Sequence, residues 1–86
     1  MVIDVAYDLD IHGKTKEEAL RMVQRHIEML YQKGIMEFNL IHGFSHGDTL
    51  RTYFSNVKNY QSSKVKEVMP GILNKGVTIV FLKRKK

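Results

Sequence analysis

Leu9-Asp10-Ile11-His12-Gly13 and, thirty residues further along, Leu40-Ile41-His42-Gly43 are near-copies of one strand ending. Between them lies a helix signal. Thr15-Lys16-Glu17-Glu18 reads as a capping box, in which the Thr15 hydroxyl accepts from the Glu18 amide and Glu18 answers the amide of Thr15. Acidic residues in that first turn suit the helix dipole. Ala19, Leu20, Val23, Ile27 and Leu30 then recur at helical spacing, and Gly34 marks the stop. A strand, a helix and a second strand make a βαβ unit, which crosses over right-handed and pairs its strands in parallel. Parallel strands bring their C-terminal ends to one edge of the sheet, so the two Ile-His-Gly corners become neighbours in space.

The first strand is expected over residues 2–11, with Val5, Tyr7, Leu9 and Ile11 sharing a face at period two. The second runs from Ile35 to Ile41, anchored by Phe38 and Leu40. After the loop His42-Gly43-Phe44-Ser45-His46-Gly47, Asp48 is placed to cap a second helix with the stripe Leu50, Tyr53, Phe54 and Val57. Val65 to Met69 reads as a third strand, broken by Pro70-Gly71. Gly76 precedes Val77-Thr78-Ile79-Val80-Phe81-Leu82, a run expected to be a strand covered on both faces or central to the sheet. The order β-α-β-α-β-β predicts an α/β fold of the two-layer α+β kind, with both helices on one face of the sheet.

Composition bounds the rest. Eighty-six residues make one domain, assigned to 1–82, with 83–86 as a basic C-terminal tail. The absence of cysteine excludes a disulfide scaffold, a thiolate nucleophile and a cysteine-ligated metal site. No apolar run approaches the ~18 residues of a membrane span, and the N-terminus lacks a signal-peptide core. A soluble cytoplasmic protein without membrane contact is expected. The formal charge is +5, of which Lys83, Arg84, Lys85 and Lys86 supply four. A basic tail on a near-neutral body attracts phosphate backbone, or serves only as a solvated terminus.

The shared edge collects Asp10, His12 and His42, and His46 nearby, while Gly13, Gly43 and Gly47 clear space. One histidine before a glycine reads as a structural hydrogen-bonding residue. Two such corners joined by one crossover read as a functional edge, because open α/β sheets bind ligands beyond their strand ends. Lys14 and Arg51 can meet a phosphate there, and Phe44 can stack on a base. Met22 and Met29 read as core filler, Tyr53 and Phe54 as core, and His26 as solvent-facing.

The motif order resembles the Smr (small MutS-related) domain. The resemblance spans about Asp8 to Leu82 and rests on Leu9–Gly13, Thr15–Leu20, Ile41-His42-Gly43, Leu50-Arg51 and Gly76–Val80. It implies a fold like the C-terminal domain of bacterial translation initiation factor three, with a four-stranded mixed sheet whose last strand lies antiparallel beside the second. It implies nucleic-acid binding and endonuclease activity on DNA or RNA, in some members with a divalent metal. The Leu-Asp-x-His motif, tied to cleavage, carries over to Asp10 and His12. The second motif, His- or Thr-Gly-x-Gly and tied to binding, carries over to His42 and Gly43. Ser45 stands where that motif has its second glycine, the loop is about one residue longer, and Gly47 is placed to take over part of the role.

The reaction so implied has a neutral His12 as general base and Asp10 orienting it or holding a metal, with His42 or Arg51 stabilising developing charge. No cofactor is demanded by these residues. If a metal binds, Asp10 and His12 are its ligands, and oxygen and imidazole donors suit magnesium or manganese, with zinc compatible. The nucleic-acid contacts expected are Gly13, Lys14, Gly43, Phe44, Ser45, His46, Gly47, Arg51, Lys83 and Arg84. Two alternatives stand beside the nuclease: a non-catalytic nucleic-acid-binding module, and a domain that binds a protein partner or itself.

Overall fold

The computed structural model describes residues 7–43, 48–72 and 76–85. The chain order is β1 (Leu9–Asp10), α1 (Lys16–Gln32), β2 (Glu37–Ile41), α2 (Asp48–Tyr53), a 3-10 turn (Val57–Tyr60), β3 (Val65–Pro70) and β4 (Val77–Leu82). The four strands form one mixed sheet in the order β1-β2-β4-β3. β1 and β2 are parallel, and β4 is antiparallel to both β2 and β3. This is the expected α+β sandwich, and β4 is central, as its apolar run implied.

The capping box forms in full: the Glu18 amide donates to Thr15 Oγ1 at 3.1 Å, and the Thr15 amide donates to Glu18 Oε1 at 3.0 Å. That second bond holds the Glu18 carboxyl below its ordinary range. Ala19, Val23, Ile27 and Leu30 line the buried side of α1. They meet Phe38 and Leu40 of β2, Val80 and Leu82 of β4, and Leu50 and Phe54 from the α2 region in one core. Gly34, past the helix end, has φ of +76°. Among the described residues, no helix is long and apolar enough to cross a membrane.

Several expectations need correcting. The helix after residue 47 ends at Tyr53, short of Val57. Ser55 Oγ donates to the Thr52 carbonyl and Asn56 Oδ1 accepts from the Lys58 amide, so short polar side chains take backbone partners that a longer helix would need. Val57 still packs against the core, but from a 3-10 turn. α2 as described begins at Asp48, directly after residues 44–47, which lie outside the described residues. His26 is half-buried rather than solvent-facing: Nε2 meets the Tyr7 carbonyl at 2.8 Å and the ring stands edge-on to Phe38 at 4.8 Å. Met29 is exposed, since it lies away from the α1 face that meets the sheet. Residues 2–6 of the expected first strand lie outside the described residues, and β1 as described is Leu9–Asp10.

Candidate nucleic-acid-processing edge

Four chain segments meet at one end of the sheet. Leu9 and Asp10 of β1 stand beside Leu40 and Ile41 of β2, and the Ile11 amide extends the ladder by donating to the Ile41 carbonyl at 2.8 Å. Because β4 runs the other way, it begins at this edge, with Val77 opposite Ile41. β3 ends there, and the Gly71 amide donates to the Val77 carbonyl. The two Ile-His-Gly corners touch: a Cβ built on Gly43 would lie 3.4 Å from the His12 Cβ. Gly13 and Gly43 both have φ of +78°, a backbone region that disfavours side chains. After β1 the chain turns sharply, and the Lys14 amide donates back to the Ile11 carbonyl at 3.1 Å.

At the first corner, Asp10 Oδ1 accepts from the His12 amide at 3.0 Å and contacts His12 Nδ1 at 2.6 Å. These hydrogen bonds, the ring's first, hold the Asp10 carboxyl below its ordinary range, so it is ionised near neutrality. An ionised carboxylate only accepts, so Nδ1 carries the hydrogen. In the neutral ring the lone pair therefore sits on Nε2, at the far end of the imidazole. The His12 side chain is 70% exposed and that of Asp10 52%. An exposed imidazole with its tautomer fixed by a carboxylate is equipped to take a proton from a hydroxyl.

The second corner is different. His42 is only 1% exposed. Its Nδ1 donates to the Gly43 carbonyl at 3.2 Å, which leaves Nε2 to accept from the Thr78 hydroxyl at 2.8 Å. Burial pushes the His42 pKa down, and the Arg51 charge adds to this. The ring is neutral, satisfied at both nitrogens and closed to solvent. The expectation that His42 contacts developing charge does not fit this placement. The amides of His42 and Gly43 both donate to the Gly76 carbonyl, at 2.9 and 3.0 Å, so this corner spends its donors inside the fold.

The strand period separates the two histidines. In β2 the core-facing residues are Phe38 and Leu40, and His42 continues that parity. Around β1, Leu9 and Ile11 pack inward, which leaves Asp10 and His12 on the other parity. Thr78 and Gly76 did not emerge from the sequence as site residues, yet they hold the second corner in place. The available signal was Thr78, a polar residue inside an otherwise apolar strand.

Lys14 is exposed beside the first corner, and Arg51 is exposed on α2 with its charge felt at His42. Lys83 and Arg84 are not brought to this edge. They follow the far end of β4, where the Leu82 amide donates to the Met36 carbonyl and the Lys83 amide to that of Lys64. The length of β2 puts them roughly 15–20 Å from the corners. Lys85 Nζ donates to the Gln32 carbonyl at 3.0 Å, capping the C-terminal end of α1, so this part of the tail is docked. Phe44, Ser45, His46 and Gly47 lie outside the described residues. Among the described residues, no three His, Asp or Glu side chains converge as a metal's ligand set. Asp10 and His12 offer one carboxylate and one imidazole, already bonded to each other, which does not make a resident site for magnesium or manganese.

The model of the Smr domain family matches residues 9–83, nearly the whole described chain. The protein belongs to the Smr domain family. Among solved structures it is similar to the Smr domain of MutS2 from Thermus thermophilus, at 27% identity and a TM-score of 0.78, covering 92% of this chain and 99% of that one. No curated protein matches the chain significantly. The Smr match includes both corners, Arg51, and the stretch from Gly76 through Leu82.

Proposed function

We propose that this Smr domain is an endonuclease acting on nucleic acid at the edge formed by Asp10 and His12. The observation carrying the reading is the 2.6 Å Asp10–His12 contact, in a largely exposed pair whose second imidazole nitrogen has no partner among the described residues. Nε2 of His12 removes the proton from a hydroxyl nucleophile as that oxygen attacks phosphorus. The imidazolium so formed is stabilised by the ionised Asp10, and it returns the proton to the leaving oxygen as the P–O bond breaks. Lys14 and Arg51 attract the phosphate and offset charge on its oxygens. Gly13 and Gly43 keep the approach open, and His42 acts through Gly43 as a positioning residue. DNA and RNA share this linkage, and both are substrates to be tried. A cytoplasmic place of action accords with the absence of cysteine.

Supercoiled plasmid and structured RNA, each incubated with wild type, Asp10→Ala and His12→Ala, test the reading. Removing the base is expected to slow cleavage by about 10²–10⁴-fold. Equal activity in all three preparations refutes the assignment.

A second reading, binding without cleavage, has one observation in its favour. The second corner's amides are consumed by Gly76, so they supply no preorganised donors for a developing anion. Wild type that binds nucleic acid and cleaves neither substrate, with or without added magnesium or manganese, establishes that reading instead.

A further inference from the structure

The two flanks of α1 are used differently. On one, Gln24 Nε2 donates to the Tyr60 carbonyl at 3.2 Å and the Glu28 carboxylate meets Lys64 Nζ at 2.9 Å, so that side is tied to the segment before β3. The other flank lies toward β1, where His26 Nε2 meets the Tyr7 carbonyl. There Lys14, Glu18, Arg21, Met22 and Arg25 line a shallow groove of about 270 Å³. Lys14 is two residues past His12, so the groove starts beside the first corner and runs along the helix.

Charge sets what this groove takes. Lys14, Arg21 and Arg25 are exposed, and among the described residues none of the three side chains has an ion-pair or hydrogen-bond partner. Arg21 and Arg25 stand about 6 Å apart along the helix axis, a spacing at which like charges repel. Glu18 is the one carboxylate among the described lining residues, and it already accepts from the Thr15 amide at 3.0 Å. Three cations against one engaged carboxylate leave a net positive strip, which an anion relieves. The outer face of the sheet has the opposite character. Asp8, Asp10 and Glu37 are exposed there, and β1, β2 and β4 contain no lysine or arginine. A phosphate chain passing the corner is repelled from that face and drawn to α1.

We infer that this flank of α1 is the track for the phosphodiester backbone on one side of the cleaved linkage, with Arg21 and Arg25 each meeting a phosphate. Lys14 joins the track to the Asp10–His12 pair. The inference rests on the reading of that pair as a phosphodiester-cleaving centre, and it gives bound nucleic acid a direction, along α1 and away from the acidic face of the sheet. Backbone contacts position a strand without reading its bases, so binding through this track is insensitive to sequence.

The test is Arg21→Gln/Arg25→Gln, which removes both charges and keeps good helix formers. Its counterpart is Lys58→Gln/Lys66→Gln, which lowers the net charge equally at exposed positions outside the groove. Circular dichroism checks folding. Affinity is measured over a salt series for a short single-stranded DNA, the matching duplex and their RNA counterparts. On each probe that wild type binds, the arginine variant is expected to lower the slope of log affinity against log salt by about 0.7–0.9 for each lost contact. Arg21→Lys/Arg25→Lys keeps the charges and is expected to keep the slope, and the Lys58/Lys66 variant is expected to match wild type. At limiting substrate the arginine variant cleaves more slowly, and saturating substrate restores its rate, because neither arginine touches the reacting linkage. An arginine variant with the wild-type slope, or an equal fall in it and in the Lys58/Lys66 variant, overturns the inference. Failure of the nuclease reading has its own signature: a selective fall in slope while wild type cleaves none of the probes keeps the track and removes the nuclease. Wild type that binds no probe removes both.

Discussion

Thr78→Val removes one hydroxyl and keeps the outline of the side chain, which isolates the contact that secures the second corner. In the native fold that hydroxyl donates to His42 Nε2 at 2.8 Å, in a pair whose residues are 4% and 1% exposed. With valine in place, Nε2 is a buried acceptor without a donor, and the unfolded chain, where water supplies one, is favoured by about 1–3 kcal/mol. A chain of 86 residues has a total stability of roughly 4–13 kcal/mol, so the change is large on that scale. Urea unfolding near neutral pH reads it directly. With a slope of about 1–1.5 kcal/mol per molar, a loss of about 2 kcal/mol lowers the midpoint by about 1–2 M at unchanged slope. Adding His42→Leu removes the orphaned ring, so the double variant is expected to be more stable than the sum of the single losses by about 1 kcal/mol or more. A Thr78→Val midpoint equivalent to less than about 0.5 kcal/mol, or strictly additive single effects, refutes the claim that this hydrogen bond holds the corner.

Two further outcomes follow from the same geometry. Burial lowers the folded-state pKa of His42 from its ordinary 6.5, so protonation favours the unfolded chain. Stability is full above about pH 6.5 and declines as pH falls through that value toward the folded pKa, and His42→Leu should flatten this decline in urea titrations run at stepwise lower pH. Lys83→Gln/Arg84→Gln is expected to leave the salt dependence of a short oligonucleotide unchanged, because these residues lie at the other end of the sheet. On a probe long enough to reach them, the slope of log affinity against log salt should fall by about 0.7–0.9 per lost contact; an altered slope on the short probe contradicts this placement.

Much of the fold is legible in local chemistry. The Thr15–Glu18 box and the spacing of Ala19, Val23, Ile27 and Leu30 fix α1 because cap and stripe agree. β4 runs from Val77 to Leu82, the span of its apolar run. The parallel pairing of β1 with β2 follows from the length and pattern between the corners. What the pattern does not announce is competition. The stripe Leu50, Tyr53, Phe54 and Val57 reads as one helix, but Ser55 and Asn56 interrupt it with their own backbone bonds. The register shift between Val65 and Glu67 likewise depends on how β3 meets β4, which no local signal sets. A groove between Arg51, Thr52 and Ser55 on one side and the end of β3 on the other is equally tertiary, since its walls come from separate segments.

The site shows the same distinction more sharply, because two almost identical tetrapeptides end up in opposite environments. Each carries Ile-His-Gly, and each glycine adopts the same positive φ. One residue of strand parity then separates them. Leu9 and Ile11 pack inward, which sends Asp10 and His12 out to solvent; Phe38 and Leu40 pack inward, which carries His42 in with them. A buried imidazole needs two partners, and Gly43 and Thr78 supply them. The outer imidazole has Asp10 at one nitrogen and open solvent toward the other, the arrangement a proton-transfer group requires. Exchanging the environments by sequence alone would require shifting a strand by one residue, which would turn the rest of that strand's core face outward as well. The edge therefore leaves its first histidine exposed while the second is fixed in the core, with Gly43 set against His12.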